Sequence, residues 1–346
     1  MSYIVVSDVH LGSKLCNFDQ FCSFLEWLLD LKDSPKTIQS NDGAIEIESP
    51  EKVVLLGDIL ELWDPWDGDR DHVVKQCLRP LSLLSNLSCD KIYVMGNHDD
   101  AIKNYDEKID YEMFRNKTKL DVWNRHYPDE YAGIRIGGRS YFFLHGHQYD
   151  KSQAVLATVS KLLGGPWDPV GWCNSQYNTS FTKRRWALSF PLLVSVLFAG
   201  WYIIQRFGPV GSWLAFTFLG VLVGGFFAFS SLPAMVTKGQ RKIYNLSKPK
   251  DKTARQVLED EYYKEQKDNV TADVVVFGHT HFASSYRGSR AGWGKEKIFV
   301  NTGSWVGVDE EIDGEMRYTN TFVYIDDQRA HIIRWNDGDP QLIESL

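Results

Sequence analysis

The sequence predicts an α/β fold in which buried strands alternate with amphipathic helices, with a long apolar hairpin inserted into the domain. Short apolar runs rich in β-branched and aromatic residues recur along the chain, as is typical of buried strands. Helical stripes such as Phe18 to Leu29 separate several of these runs, which favours a largely parallel sheet. The segment 186–236 breaks this alternation, because Arg206 is its only charged residue.

The length and composition indicate one main domain with an insertion. The chain has 346 residues, and we expect residues 1–150 and 268–346 to form the domain and residues 151–267 the insertion. The net charge of -7 makes nucleic acid an unfavourable partner. Five scattered cysteines without a Cys-x-x-Cys pair argue against disulfides and a thiolate zinc site, and they suit a reducing cytosol. The first strand begins at Tyr3, so we expect no cleavable leader.

Five predicted strands end in glycine or in polar residues that can bind a metal. The strands and their endings are Tyr3–Ser7 with Asp8 and His10, Lys52–Leu56 with Gly57 and Asp58, Lys91–Met95 with Gly96, Asn97, His98 and Asp99, Tyr141–Leu144 with His145 and His147, and Asp273–Phe277 with Gly278, His279 and His281. Open α/β sheets bind ligands at the carboxyl ends of their strands. Taken singly, each ending is equally compatible with a hydrogen-bonded turn.

The distribution of histidine favours a metal site. Six of the nine histidines lie at these strand ends, namely His10, His98, His145, His147, His279 and His281. Chance placement would scatter them along the chain. Imidazole, carboxylate and amide ligands without a thiolate suit a borderline divalent metal such as manganese, iron or zinc. The ligands are numerous enough for two ions.

The segment Leu60–Trp66 is too aromatic and acidic for an ordinary solvated loop. We interpret it as a wall of a substrate pocket, with Glu61 and Trp63 as substrate-binding residues. His147, at the rim of the candidate metal site, is assigned to the same group. A surface turn with packed tryptophans is the competing interpretation.

The chain resembles the calcineurin-like metallophosphoesterases in an ordered set of motifs, namely Asp8-x-His10, Gly57-Asp58, Gly96-Asn97-His98-Asp99, His145 and Gly278-His279-x-His281. These motifs span about residues 1–150 and 270–305 and leave the insertion uncovered. The resemblance implies hydrolysis of a phosphoester at a two-metal centre. It also implies a two-sheet sandwich flanked by helices, whose second sheet we expect to be closed by Ile298–Asn301, Thr321–Ile325 and His331–Trp335.

The resemblance also assigns roles to the matching residues. One ion is expected to be held by Asp8, His10, Asp58 and His281. The second ion, with manganese as the expected metal in both positions, is expected to be held by Asp58, Asn97, His145 and His279. His98 is expected to stabilise or protonate the leaving oxygen, with its ring oriented by Asp99. A fold that has lost its metals and serves as a scaffold is the competing interpretation.

Two uncharged runs, about residues 186–204 and 210–236, predict a transmembrane hairpin. Basic residues flank it on both outer sides, which places those ends and the domain at the cytoplasmic face of the cell membrane. The spacing Gly220-x-x-x-Gly224 permits close helix contact, including self-association, although chance explains the two glycines equally well. A buried helical hairpin in a soluble core, or one that only dips into one leaflet, is the alternative.

The insertion enters directly after His147, so one segment would both anchor the chain and cover the site. This favours a membrane lipid as partner and a lipid-linked phosphate or diphosphate as substrate. Gly57-Asp58-x-x-Glu61-x-Trp63 and the place of the insertion resemble the UDP-2,3-diacylglucosamine hydrolase subgroup, which has arginine where His98 stands and aspartate where His147 stands. The alternatives are an anchored phosphodiesterase acting on soluble nucleotides or polynucleotide ends, and a non-catalytic membrane adaptor.

Overall fold

A computed structural model describes residues 1–40, 43–62, 66, 73, 77–99, 120–147, 201–202, 205–206, 252–259, 270–289 and 295–346. The chain divides into two compact units. One unit combines Met1–Lys151 with Pro249–Leu346, and the other is Ser152–Lys248. The strands and helices given below all belong to the first unit.

The described strands are β1 (Tyr3–Val6), β2 (Lys36–Ser40), β3 (Gly43–Ile47), β4 (Lys52–Leu56), β5 (Asp90–Val94), β6 (Leu120–Trp123), β7 (His126–Tyr127), β8 (Ile134–Ile136), β9 (Arg139–Leu144), β10 (Val274–Phe277), β11 (Ser284–Gly288), β12 (Lys297–Asn301), β13 (Glu310–Ile312), β14 (Glu315–Arg317), β15 (Thr321–Ile325), β16 (Ala330–Asn336) and β17 (Asp339–Ser345). The described helices are α1 (Phe18–Asp30), α2 (Leu78–Asn86) and α3 (Ala254–Glu259).

The first layer is a seven-stranded sheet in the order β17-β16-β15-β1-β4-β5-β6. The four strands from β1 to β6 in this order are parallel, whereas β15, β16 and β17 pair antiparallel. The prediction of a largely parallel sheet therefore holds for one half only. The prediction that Thr321–Ile325 and His331–Trp335 close the second sheet is wrong. They extend the first sheet because β1 is buried and needs backbone partners on both edges.

The second layer is a six-stranded sheet in the order β11-β12-β10-β9-β7, with β8 paired to β9. Its central strand β10 runs parallel to both β9 and β12. The β8–β9 hairpin turns at Gly137 and Gly138, as the sequence predicts. Parallel β9 and β10 end at the same edge of the sheet, which brings the residues after them together.

The two sheets pack face to face. Alternate side chains such as Val5 and Val54 from the first sheet share a core cluster with Phe143 and Val276 from the second. On the outer side of the first sheet, α1 and α2 bury apolar stripes that contribute to a second cluster. α3 buries apolar residues against the outer face of the second sheet, although the sequence assigned this segment to the insertion. The expected α/β sandwich flanked by helices is confirmed.

The predicted transmembrane runs lie outside the described residues, apart from residues 201–202, which are helical. Residues 205–206, in the predicted turn between the runs, are helical as well. Trp201 and Tyr202 are exposed there. In the part of the chain that is described, no helix is both long and apolar enough to cross a bilayer. The hairpin therefore stays a prediction.

Candidate metal centre

The polar endings of five strands meet at one edge of the sandwich. Three potential metal-binding groups form there from residues with ligand atoms within 4.8 Å of one another, namely Asp8 with His10 and His281, Asp58 with His145 and His279, and His10 with Glu61 and His98. The first group joins residues after β1 and β10, and the second joins residues after β4, β9 and β10. Both sheets therefore contribute to the site.

Five of the predicted ligands have a left-handed backbone. Their φ angles are 50° at Asp8, 50° at His10, 53° at Asp58, 72° at His279 and 60° at His281. Few residues other than glycine adopt this region, and aspartate and histidine are among those that tolerate it. All five residues lie two or four positions after the end of β1, β4 or β10. Such clustering of strained residues is typical of functional sites.

Two glycines make room for the carboxylates. A Cβ atom at Gly96 would overlap the carboxylate and backbone nitrogen of Asp58. A Cβ atom at Gly278 would overlap the side chains of Ser7 and Asp8. These positions accept only hydrogen because neighbouring strands bring their acidic residues into the same space.

In the group of Asp8, His10 and His281, the Asp8 carboxylate has contacts on both of its oxygens. His281 Nε2 lies 3.1 Å from Asp8 Oδ1, and His10 Nε2 lies 3.9 Å from the same oxygen. The other carboxylate oxygen, Asp8 Oδ2, accepts hydrogen bonds from the His279 backbone nitrogen at 2.8 Å and from the Ser7 hydroxyl. Asp8 is thus fixed by one oxygen while the other faces two imidazoles.

Asp58 belongs to the group with His145 and His279, and it also lies close to His10 of the first group. Its Oδ2 atom is 3.2 Å from His145 Nε2 and 3.8 Å from His10 Nε2. Its Oδ1 atom accepts a hydrogen bond of 2.8 Å from the His98 backbone nitrogen, which fixes the carboxylate orientation. His145 is oriented by a contact of 2.9 Å between Nδ1 and the Leu56 carbonyl oxygen. Asn97, in the same loop as His98, is half-buried.

The charges of the buried residues are strongly coupled. Burial by itself raises the pKa of Asp8 and of Asp58, but the neighbouring histidines outweigh it and lower both pKa values. Burial lowers the pKa of His145, whereas Asp58 and Asp8 outweigh it and raise that pKa to about 10. In the absence of a cation, the carboxylates are therefore balanced by protonated imidazole.

The donor set fits a pair of divalent cations. His10 Nε2 is buried and makes no hydrogen bond within the described part of the chain, although its ring is fixed through Nδ1. Buried nitrogen without a hydrogen bond is costly unless a cation binds there. The ligand atoms are nitrogen and oxygen, which suits manganese, iron or zinc. Among the described cysteines, Cys16, Cys22 and Cys77 have raised pKa values because they are buried, so thiolate ligands are unfavourable there.

Glu61, predicted to bind substrate, lies against two histidines of the site. It is 4% exposed, and its Oε2 lies 2.8 Å from His10 Nδ1. Its Oε1 lies 2.8 Å from His98 Nδ1. Burial raises the pKa of Glu61, but His98 and His10 outweigh this and lower it. The Glu61 carboxylate therefore orients two imidazoles, and its role in substrate binding stays a prediction.

The Asp99 carboxylate is hydrogen-bonded to groups other than the His98 ring that it is predicted to orient. The buried Asp99 carboxylate accepts hydrogen bonds from the Ile59 nitrogen at 2.8 Å, the Gly96 nitrogen at 2.7 Å and the Tyr93 hydroxyl at 2.6 Å. Burial and the charge of Asp58 raise the pKa of Asp99 to about 6. Asp99 therefore supports the loop, whereas the His98 ring contacts Glu61.

Of the remaining predicted substrate residues, only His147 is described. Its ring centroid lies 5.4 Å from that of His145 and 6.4 Å from that of His279. Burial and these two histidines lower the pKa of His147, so its ring is neutral. Trp63 lies outside the described residues.

Sequence reasoning missed two supporting residues, Ser7 behind Asp8 and Tyr93 behind Asp99. Each is a polar side chain inside or directly after an apolar strand, and that pattern could have identified them. A buried hydroxyl requires a hydrogen-bond partner, and in both cases the partner is a carboxylate of the site.

Several solved structures are similar to the chain at low identity. A single mutant of Vps29 from Entamoeba histolytica is 13% identical with a TM-score of 0.36, and the match covers 100% of this chain and 98% of that chain. A predicted phosphoesterase from Streptococcus pneumoniae TIGR4 is 12% identical with a TM-score of 0.28, covering 100% and 97%. A novel archaeal phosphodiesterase is 12% identical with a TM-score of 0.32, covering 100% of both chains. None of the curated proteins matches the chain.

The match to a protein family is more specific. Residues 1–178 of the 346 match the model of the calcineurin-like phosphoesterases. This range contains the endings of β1, β4, β5 and β9, and the structure adds the ending of β10 to the same edge. Proteins of this family hydrolyse phosphoesters at a centre of two metal ions. The chain belongs to the calcineurin-like phosphoesterases and is a metal-dependent phosphoester hydrolase.

Proposed function

We propose that the chain hydrolyses a phosphate or diphosphate ester of a membrane lipid at the cytoplasmic face of the membrane. The observation that carries the reaction is the position of Asp58 between two groups of ligands, 3.8 Å from His10 and 3.2 Å from His145. A single carboxylate in this position can serve two cations. The lipid substrate is supported by the sequence of the insertion.

We assign Asp8, His10, Asp58 and His281 to one ion, and Asp58, Asn97, His145 and His279 to the other. Manganese fits this nitrogen and oxygen set, and iron or zinc would also fit. When bound, the ions neutralise phosphate charge and make a water molecule more acidic. Asn97 would supply a ligand without adding negative charge, which favours an anionic substrate.

His98 is assigned to the leaving group. Glu61 contacts His98 Nδ1, so Nε2 is the ring atom assigned to the leaving oxygen. Proton donation there stabilises the charge that develops when the phosphorus–oxygen bond breaks. The neutral ring of His147 can donate a hydrogen bond to the substrate without repelling a cation.

The membrane assignment is supported by features of the insertion. The runs 186–204 and 210–236 are long enough to cross a bilayer and have basic flanks. Trp201 and Tyr202 are helical and exposed, as expected for aromatic residues at a membrane interface. The resemblance to UDP-2,3-diacylglucosamine hydrolases also supports a lipid-linked substrate, although His98 and His147 depart from that subgroup.

Deleting the hairpin tests the substrate class. We expect a chain with residues 186–236 replaced by a short linker to hydrolyse a small chromogenic phosphoester normally. Its turnover of a lipid phosphate in mixed micelles should fall at least about tenfold, because binding energy from the acyl chains no longer positions the phosphorus atom. Phosphate release from both substrates, measured with manganese, gives the comparison.

A matched control replaces the hairpin with leucine and alanine residues of equal length. Recovery of lipid turnover in this control would mean that anchoring suffices. Equal loss on both substrates, or no loss on either, would contradict the lipid proposal. Preferred hydrolysis of soluble nucleotides would instead favour an anchored phosphodiesterase.

Membrane topology is tested separately. With basic residues on both outer flanks, we expect Arg206 outside the cell and Lys183 inside. Single cysteines at these positions in a cysteine-free background can be labelled in intact cells with an impermeant reagent. Labelling at position 183 but not at position 206 would contradict the proposed orientation.

A further inference from the structure

Both ends of the insertion join the loops that carry metal ligands. The chain leaves the described domain at His147, two residues after His145. It returns at Lys252, where the carbonyl oxygen accepts a hydrogen bond of 2.7 Å from the hydroxyl of Thr280. Thr280 stands between His279 and His281, and it is 3% exposed.

The Thr280 hydroxyl makes two hydrogen bonds. It donates to Lys252 and accepts a hydrogen bond of 2.6 Å from Asn301 Nδ2. The Thr280 backbone nitrogen also donates to the Gly278 carbonyl oxygen at 2.9 Å. These bonds hold a loop whose two histidines have φ angles of 72° and 60°. A strained loop of this kind keeps its shape only when its surroundings fix it.

The returning segment, residues 252–259, is tied to the domain by hydrogen bonds. Thr253 and Gln256 exchange hydrogen bonds, 3.0 Å to Gln256 Oε1 and 3.3 Å to Thr253 Oγ1, in a capping box that begins α3. The Ala254 nitrogen donates to Ser284 Oγ at 2.9 Å, which ties the same turn to β11. A displacement of residues 252–254 would therefore act directly on the Thr280 loop.

We propose that Thr280 is a positioning residue that couples the segment 252–259 to the metal ligands His279 and His281. Displacement of the returning segment removes the acceptor of Thr280 and loosens the loop, which lowers metal affinity. The proposal depends on the metal centre alone, so the lipid substrate and this coupling can fail independently.

The test uses the full-length chain and Mn²⁺ as the probe. We expect Thr280→Val, which keeps the shape but removes the hydroxyl, to weaken Mn²⁺ binding about 10- to 100-fold, as is usual for groups that orient metal ligands. Amide hydrogen exchange at residues 252–259 should become faster in the same variant without metal. Thr280→Ser, which restores the hydroxyl, should recover both properties.

Thr319→Val is the matched control. Thr319 is also 3% exposed and hydrogen-bonded, but its partner is Asp309. It should leave Mn²⁺ binding and exchange at residues 252–259 unchanged. Normal Mn²⁺ affinity in Thr280→Val, or normal exchange at residues 252–259, would overturn the proposal.

Ser284→Ala provides a second test if Thr280→Val does not fold. It removes the bond from the Ala254 nitrogen and the bond to the Phe282 carbonyl oxygen, and it leaves both hydrogen bonds of the Thr280 hydroxyl in place. We expect faster exchange at residues 254–259 and a smaller loss of Mn²⁺ affinity. Faster exchange with unchanged affinity would show that the returning segment does not act on the metal centre.

Discussion

Asp58→Ala is expected to lose both metal ions and to lower turnover by at least about 10³-fold, since the charge stabilisation supplied by the ions amounts to several kcal/mol. Asp58 is 1% exposed and lies between the imidazoles of His10 and His145. Removing this carboxylate deprives both cation positions of a ligand. It also leaves two cations without the negative charge that reduces their repulsion.

Metal analysis of the purified variant together with phosphoester kinetics gives the measurement. Asp273→Ala is a suitable control, because Asp273 is an aspartate of the second sheet that binds Ser140 and Lys295 outside the metal site. The control should retain metal and turnover. Unchanged turnover in Asp58→Ala would exclude a shared two-metal centre.

His98→Ala should retain metal but lose turnover in a way that depends on the leaving group. Positioned proton donors contribute about 10²- to 10⁴-fold. We expect a loss of this size for alkyl phosphoesters, whose leaving oxygen needs a proton. The loss should be much smaller for 4-nitrophenyl esters, because nitrophenolate leaves without protonation. Kinetics across a series of leaving groups, with metal content measured in parallel, tests the assignment.

Glu61→Gln separates orientation from proton transfer. Its amide keeps the size of the side chain but contacts His98 and His10 without a negative charge. We expect the same dependence on leaving group as in His98→Ala, with a smaller loss. A uniform loss over all leaving groups in His98→Ala would mean that His98 acts on binding or on the metals.

The metal ligands could be predicted from the sequence because each is marked by a local pattern. An apolar run followed by glycine and a ligand, as in Val54 to Asp58, identifies both a strand and its carboxyl end. Parallel strands then bring such ends to one edge, so the ligands could be grouped before their contacts were known. The five left-handed residues follow the same local pattern, since aspartate and histidine tolerate that backbone.

Contacts between distant segments were not predictable. Glu61 and His10 are 51 positions apart, and nothing in the local pattern distinguishes an acid that faces substrate from one that faces histidine. Asp99 was assigned to its neighbour His98 by adjacency, whereas its partners come from Ile59, Tyr93 and Gly96. The pairing of β15 with β1 also depends on which sheet edge is open, and alternation of apolar residues contains no such information.

The left-handed backbone at the ligands lowers the stability of the protein, whereas the same residues are needed for its activity. Each strained residue costs about 1 kcal/mol or more, and five of them approach the net stability of a typical domain. Glycine would relieve this cost at any of the five positions while removing a ligand. A search for thermostable variants of the metal-free protein would therefore tend to select inactive ones, and selection in the presence of metal is needed to keep the site.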